Sequence, residues 1–329
     1  MTTYNGAQYL VEQLESLAAQ TLTPYELVVA DDGSTDGTIN ILEEFMDKAP
    51  FPVTIYHNAE RMGYVRNFLH VLDLCSGDAI AYCDQDDVWM AHKLATVSEE
   101  FKRSEVMLVI HSGKPVASDL SPLPGTFPII PSAKKVAKGG RSDRVLKSFP
   151  LGFALVFRQE VAQGVTQALK HYEQKHQFFF GHEMPVVWMA RALGQTVLLP
   201  EPLVLYRRHL HNITSGEGLQ AKTALDALRN GSEQYEAYGA HALAQSELME
   251  SMSKTAPRQA MPFFIQEAAR SRQLSQAMAE RATLYRLSSR VDQIGKMAAM
   301  LFYGQYRSRK EGGLGAKGLA KDLKHWLKP

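Results

Sequence analysis

The sequence predicts an α/β fold, Rossmann-like, in which a mostly parallel sheet carries helices on both faces and a helical C-terminal region follows. Three observations lead there. Over the first hundred residues short apolar strands alternate with amphipathic helices, the pattern of a parallel sheet. Two of the strands run into acidic turns. From about residue 217 strand patterns cease and helical periodicity takes over, broken near Pro257, Pro262 and Gly312. The expected domains are therefore 1–216 and 217–329.

Leu10, Leu14 and Leu17 share one face of a first helix, and residues 26–30 form a short apolar strand. A helix over 36–47 follows, with Ile39, Leu42 and Phe45 or Met46 inward, and then a strand over 52–56. Residues 64–74 place Phe68, Val71 and Leu72 on one helix face, and residues 78–83 are a buried strand.

That last strand ends in Asp84-Gln85-Asp86-Asp87-Val88-Trp89. Open α/β sheets place ligands beyond the carboxyl ends of their strands. Asp84 and Asp86, one residue apart, can turn toward one point, and two hard oxygen donors suit Mg²⁺ or Mn²⁺ and, through the metal, a diphosphate. A bare Asp-x-Asp is more often a solvated acidic turn; the strand before it and a second acidic turn upstream favour the ligand site. The upstream turn, Asp31-Asp32-Gly33-Ser34-Thr35-Asp36-Gly37-Thr38, joins a strand to a helix that Ser34, Thr35 or Asp36 can cap. A carboxylate there can accept from a ribose or a base edge, or the turn is simply capped.

These residues carry a resemblance. Thr3-Tyr4-Asn5-Gly6, the two acidic turns, the stretch from Asn58 to Asn67, residues 152–157, His182-Glu183 ahead of Trp188, and the run from Pro202 to His209 resemble the family 2 glycosyltransferases of GT-A fold. Within that family the chain resembles the bacterial rhamnosyltransferase-like members, over residues 2–216. The resemblance implies an inverting, metal-dependent transferase that takes a sugar from a nucleotide-sugar donor, dTDP-rhamnose ahead of a UDP-sugar. The implied acceptor is a glycan or lipid-linked glycan of surface polysaccharide synthesis. It implies donor contacts at Thr3, Asn5, Asp31, Asp32, Gly63, Arg66, Asn67, Asp84 and Gln85. It implies a metal, Mg²⁺ or Mn²⁺, at Asp84, Asp86 and His209, and a general base at Glu183. Taken from the residues alone, Glu183 is more readily a helix N-terminal acid favoured by the macrodipole; with the resemblance, the base reading leads. His209 is equally a packing residue, and Arg207 and Arg208 are equally surface cations.

Three positions depart from the family pattern. Only Met1 and Thr2 precede the Thr-Tyr-Asn-Gly loop, where the family has a full apolar strand in mid-sheet; its loss would expose neighbouring strand edges. Glu183 stands where the family usually has Asp. His111-Ser112-Gly113 lacks the acid that often follows His-Ser. Either further residues precede Met1 in the full protein, or the first departure opens a rival, a catalytically impaired binding or scaffold protein. A nucleotidyltransferase is disfavoured, because no Gly-rich basic phosphate loop stands near the start.

A net charge of +1 gives no global nucleic-acid signal. Two cysteines and no secretory leader point to the cytoplasm, and no apolar run reaches the roughly 18 residues of a membrane span. The Gln-x-x-Arg-Trp of processive synthases is absent, which favours single addition. Charge is uneven, however. Residues 281–329 hold eleven Lys and Arg against three acids, so the rest of the chain is acidic. Leu319, Leu323, Trp326 and Leu327 can line one face of a last helix, with Lys317, Lys321, Lys324 and Lys328 on or beside the other. That suits peripheral contact with an anionic inner-membrane surface, or a helix packed on the catalytic domain with a solvated basic face. Gly313-Leu314-Gly315-Ala316-Lys317-Gly318 fits G-x-G-x-x-G but follows no strand, so no dinucleotide site is expected.

Overall fold

A computed structural model describes residues 1–128, 130, 133, 135–137, 151–170, 181–209, 212 and 231–327. The chain divides into two compact units, the first built from Met1–Lys170 and Phe180–His209, the second from the remaining residues. The boundary expected at 216/217 lies outside the described residues.

The first unit opens with β1 (Thr2–Thr3), α1 (Ala7–Ala18), β2 (Leu27–Asp31), α2 (Thr38–Met46), β3 (Val53–His57) and α3 (Tyr64–Leu72). It continues through β4 (Ala79–Ala81), β5 (Val88–Trp89), α4 (Lys93–Phe101), β6 (Val106–Val116), β7 (Lys135–Ala137) and β8 (Leu155–Arg158), to α5 (Gln159–Lys170), α6 (Glu183–Leu193) and β9 (Gln195–Arg207). The predicted faces seat as expected: Leu10, Leu14 and Leu17 on α1, Leu42 on α2, and Phe68, Val71 and Leu72 on α3 are all buried. Each such side chain contributes roughly 1.5–3 kcal/mol of transfer free energy. Of the three candidate caps, Asp36 is the one that accepts from the start of α2, at Thr38 N (3.0 Å).

The strands form two sheets where one was expected. β1, β2 and β3 are parallel in that order. The second sheet is mixed, in the order β4-β8-β6-β9-β5 with β7 also on β9, and β6/β9 is its parallel pair. The reason for the break is local. Among the described residues β1 pairs only with Ala30 and Asp31, so toward this side β2 meets no strand before Ala30, and β4 is an edge. Between them lies a cleft of about 690 Å³, lined by Met1, Leu27, Val28, Ile80, Tyr82 and others. The Met1 amino group donates to Val28 O (2.7 Å) beside it. Below the second sheet a valine-rich cluster, including Val97, Val106, Val109, Val156 and Val197, holds α4 against β6, β8 and β9.

The second unit contains α7 (Ser232–Thr255), α8 (Met261–Arg286), α9 (Arg290–Phe302) and α10 (Gly315–Trp326). The ion pairs Arg272–Glu250 and Arg286–Glu236 run α7 and α8 antiparallel. A core of Ala277, Leu284, Met297, Met300, Tyr306 and Leu314 joins α8, α9 and α10, with Leu319 and Trp326 packed against it. Fully buried Asp322 accepts from Arg281 Nε (2.7 Å), Tyr306 Oη (2.9 Å) and Tyr285 Oη (3.1 Å). Two of the four apolar residues read as a lipid-facing stripe on the last helix thus turn inward, and Leu323 and Leu327 stay exposed. α10 is held to its own bundle through Leu319, Trp326 and Asp322. Lys328 lies outside the described residues.

Candidate active site

The carboxyl ends of β1, β2 and β4 bring the predicted residues together, and their environments differ sharply. Asp31 is buried and its carboxylate is saturated. Oδ1 accepts from Gly33 N (3.1 Å) and Ser34 N (2.8 Å), and Oδ2 from Thr3 Oγ1 (2.7 Å) and Ser34 Oγ (2.6 Å). Four acceptances fill the lone-pair sites of a carboxylate. Asp31 and Thr3 therefore fasten the turn. Asp32, also buried, accepts from Met62 N (2.7 Å), Gly63 N (2.8 Å) and Asn58 Nδ2 (3.0 Å), and so ties the loop before α3 to β2. Gly63 makes this approach at φ +79°, a conformation that costs glycine little. Asn67 completes the tie, donating to Ala30 O (2.8 Å) and accepting from Asn58 (2.9 Å). Arg66 is exposed on α3, while Arg61 stacks over Tyr4, 3.9 Å from the ring centroid.

Asn5, at φ +47°, holds Thr35 N through its Oδ1 (2.8 Å) and donates its own N–H to Ser34 (2.9 Å). Gln85 clips the two acidic turns together. Its Oε1 accepts from Tyr4 N (2.9 Å) and its Nε2 donates to Tyr4 O (3.1 Å). A Cβ on Gly6 would collide with that amide, so any larger residue there would displace the Gln85 clip.

The turn after β4 concentrates negative charge. Burial, then the charges of Asp86 and Glu183, push Asp84 up to about 7. Asp87 is almost fully buried and is held well above the usual carboxylate range by burial, then by Asp86 and Asp84. Its Oδ1 accepts from Arg207 N (3.0 Å), and its Oδ2 has no partner. Asp86 Oδ2 lies 2.8 Å from His209 Nε2, and that ring stands against Tyr9. Arg207, expected to be as readily a surface cation, is buried; it donates from Nε to Asp86 O (2.8 Å), pairs with Glu12 and donates to Ser118 O. Arg208 is exposed, as a surface cation would be.

Glu183 opens α6 and is buried at the same place, close enough to raise both Asp84 and Tyr82. His182 Nδ1 lies 3.8 Å from its Oε2, beyond hydrogen-bond length. The His182 ring stacks on Phe68 (4.0 Å) against Tyr82, both ring nitrogens are without partners, and burial holds it neutral.

Lys93 escaped sequence reasoning. It sits wholly buried behind the acidic turn, donates to Phe153 O (3.1 Å) and lies 3.6 Å over the Trp89 ring. Burial brings it down to about 7, opposed by Cys83, Asp87 and Asp84. A lysine in the first turn of an amphipathic helix carries no mark of burial in sequence. His111, on β6, is likewise buried, with Nε2 unpartnered.

Residues 1–165, just over half of the chain, match the family described as Glycosyl transferase family 2. The chain belongs to glycosyl transferase family 2. Among curated proteins, a glycosyltransferase of Nostoc sp. that is described as uncharacterized is 27% identical over 214 residues, 64% of this chain and 63% of that one. A dTDP-rhamnosyl transferase of Shigella flexneri is 37% identical over 98 residues, 29% of this chain and 34% of that one. The chain thus spans less than two-thirds of the length of these relatives. The crystal structure of S. aureus TarS 1–349 in complex with UDP-GlcNAc superposes with a TM-score of 0.55 at 16% identity, covering 93% of this chain and 91% of that one. The fold is GT-A. Among the described residues no helix is long and apolar enough to cross a membrane.

Proposed function

We propose that the chain is an inverting glycosyltransferase that moves a sugar from a nucleotide-sugar donor, dTDP-rhamnose or a UDP-sugar, to a glycan or lipid-linked glycan in surface polysaccharide synthesis. The observation that carries the proposal is the convergence of Asp84, Asp86 and Glu183 at the end of β4. Burial first, and then the charges of Asp86 and Glu183, push Asp84 up to about 7 there. Such crowding is costly for the free protein and suits a cationic ligand.

The donor set fits Mg²⁺ or Mn²⁺: Asp84 and Asp86 offer hard oxygens and His209 an imidazole beside them, although among the described residues no ready-made cluster of three such side chains is formed. When bound, the metal would neutralise charge developing on the leaving diphosphate. The chain's own residues do the rest. Glu183 takes the proton of the acceptor hydroxyl as its oxygen bonds to the anomeric carbon and the bond to the diphosphate breaks with inversion. Arg66 offers charge to the diphosphate. Asp32, with one lone-pair site still open, and the Thr3–Asn5 loop flank the nucleoside, while Asp31, Gly63, Asn67 and Gln85 hold that frame in shape. Peripheral contact with the inner membrane through the C-terminal region belongs to the same proposal, as does the cytoplasmic setting.

A donor-hydrolysis screen over nucleotide sugars with Mn²⁺, followed by product stereochemistry, tests it. One donor hydrolysed well above the others supports the proposal. Binding of nucleotide sugars with no turnover in any metal would leave the impaired scaffold, the alternative raised by the open cleft beside β2.

A further inference from the structure

Resting on the membrane contact proposed above, we infer that the lipid-facing surface of the second unit is the outer face of α9, whose partner is an anionic bilayer surface. Val291, Ile294, Gly295, Ala298, Leu301 and Phe302 recur at steps of three and four, so they form one continuous stripe along the helix. Every one of them is exposed. Phe302 is 85% exposed, Val291 78% and Leu301 57%, and Tyr303 beyond the helix end is 71% exposed. The opposite face is satisfied: Met297 and Met300 enter the bundle core. Among the described residues the stripe therefore is not a core face covered by its own bundle.

Two quantities favour lipid over a second copy of the chain. A 13-residue helix is about 20 Å long and about 10 Å wide. Its face offers roughly 200 Å², against about 800 Å² per partner in a standard protein interface. Charge supplies the second. Arg290 at the start of α9, Arg307 and Lys310 after it, and Lys317, Lys321 and Lys324 on α10 are exposed, whereas the exposed acids from residue 290 to 327 are Asp292 and Glu311. Asp322 is buried on Arg281 and presents no charge outward. An apolar stripe ending in adjacent Phe and Tyr, in a segment rich in exposed cations, matches an interfacial helix on anionic lipid. α10, half of whose apolar residues are spent on the core, supplies cations more than insertion.

The test is co-sedimentation of the full chain with vesicles of phosphatidylglycerol and phosphatidylcholine in equal parts, and with phosphatidylcholine alone. The protein is expected to pellet with the first at low salt, at least tenfold more than with the second. Val291→Ser/Phe302→Ser is expected to lower that partition at least tenfold, while the thermal midpoint and sugar transfer to a soluble acceptor stay unchanged. If the wild-type chain fails to pellet, the membrane contact itself is wrong. If it pellets and the double variant pellets equally, contact is made elsewhere and the α9 assignment falls. If light scattering shows a dimer that the double variant abolishes, the stripe belongs to a second copy, which also overturns the inference. Unaltered transfer throughout keeps these outcomes separate from the proposed chemistry.

Discussion

The acidic turn after β2 and the acidic turn after β4 read almost alike as strings of letters, yet they solve opposite problems. Asp31 and Asp32 spend seven hydrogen bonds on backbone and side-chain donors, so their charge is consumed in holding the loops that carry Thr3, Asn5 and Gly63. Asp84, Asp86 and Asp87 crowd one another, with Glu183 raising Asp84 further. The first turn is finished by folding; the second is left in electrostatic debt. A carboxylate in a nucleotide-binding fold therefore declares its role by what already faces it, not by its place in a motif.

The contrast is broken most directly by exchanging activity for stability as the readout. Asp86→Ala is expected to lower turnover at least a thousandfold, because the metal's charge stabilisation is worth several kcal/mol, with a melting temperature within a few degrees of wild type. Full turnover in EDTA would remove the metal from the account. Glu183→Gln keeps the shape but cannot take a proton, so kcat is expected to fall roughly 10²–10⁴-fold while donor affinity changes little. An unaltered kcat would move the base elsewhere, with Asp87 the next candidate.

Asp31→Ala is expected to reverse the pattern. It leaves donors at Thr3, Gly33 and Ser34 without their acceptor and should cost about 3 kcal/mol of stability, read as a lowered denaturation midpoint. A variant as stable as wild type would show that the turn does not depend on it. The pH profile sharpens the same point. An acid raised to about 7 from its usual 3.8 holds a proton in the folded state that the unfolded chain releases. Stability without metal should therefore fall as pH rises from about 4 to 7, and Asp84→Asn should flatten that slope. Mg²⁺ should accordingly raise the melting temperature more at pH 8 than at pH 5.5; equal shifts would mean that Asp84 is not a ligand. The smallest effect is expected at Gln85→Ala, which unclips Tyr4 and should raise the donor KM a few-fold with kcat unchanged.

Much of this was legible beforehand. The strand–helix alternation placed the first six long elements within a few residues, because each follows from local periodicity; α1, β2 and α3 bury the face that their pattern announces, whereas β3 has no buried residue and β4 buries only Ile80. The pairing of Asp84 with Asp86 was legible from their spacing, but the approach of Glu183 and His209 only through the resemblance, since Asp86 and His209 are 123 residues apart and meet beyond the β5/β9 pair. Lys93 and Arg207 were not legible. Nothing local says that a lysine and an arginine go inside; their burial is decided by Trp89, Phe153 and Glu12, which the fold delivers from elsewhere. The last helix left two readings open, because an amphipathic stripe does not say whether lipid or protein covers it; Leu319 and Trp326 pack on the bundle core, while Leu323 and Leu327 are exposed.

The cleft beside β2 carries a practical consequence. Two strand edges facing one apolar groove form a template that does not distinguish its own chain from another's. A polypeptide of these 329 residues should therefore associate by mass action: clear dilute solutions, oligomers that grow with concentration, and a shorter shelf life in concentrated stocks. A short apolar peptide of extended shape, added in excess, should compete for the groove and slow that ageing, whereas the same peptide carrying a central proline should not.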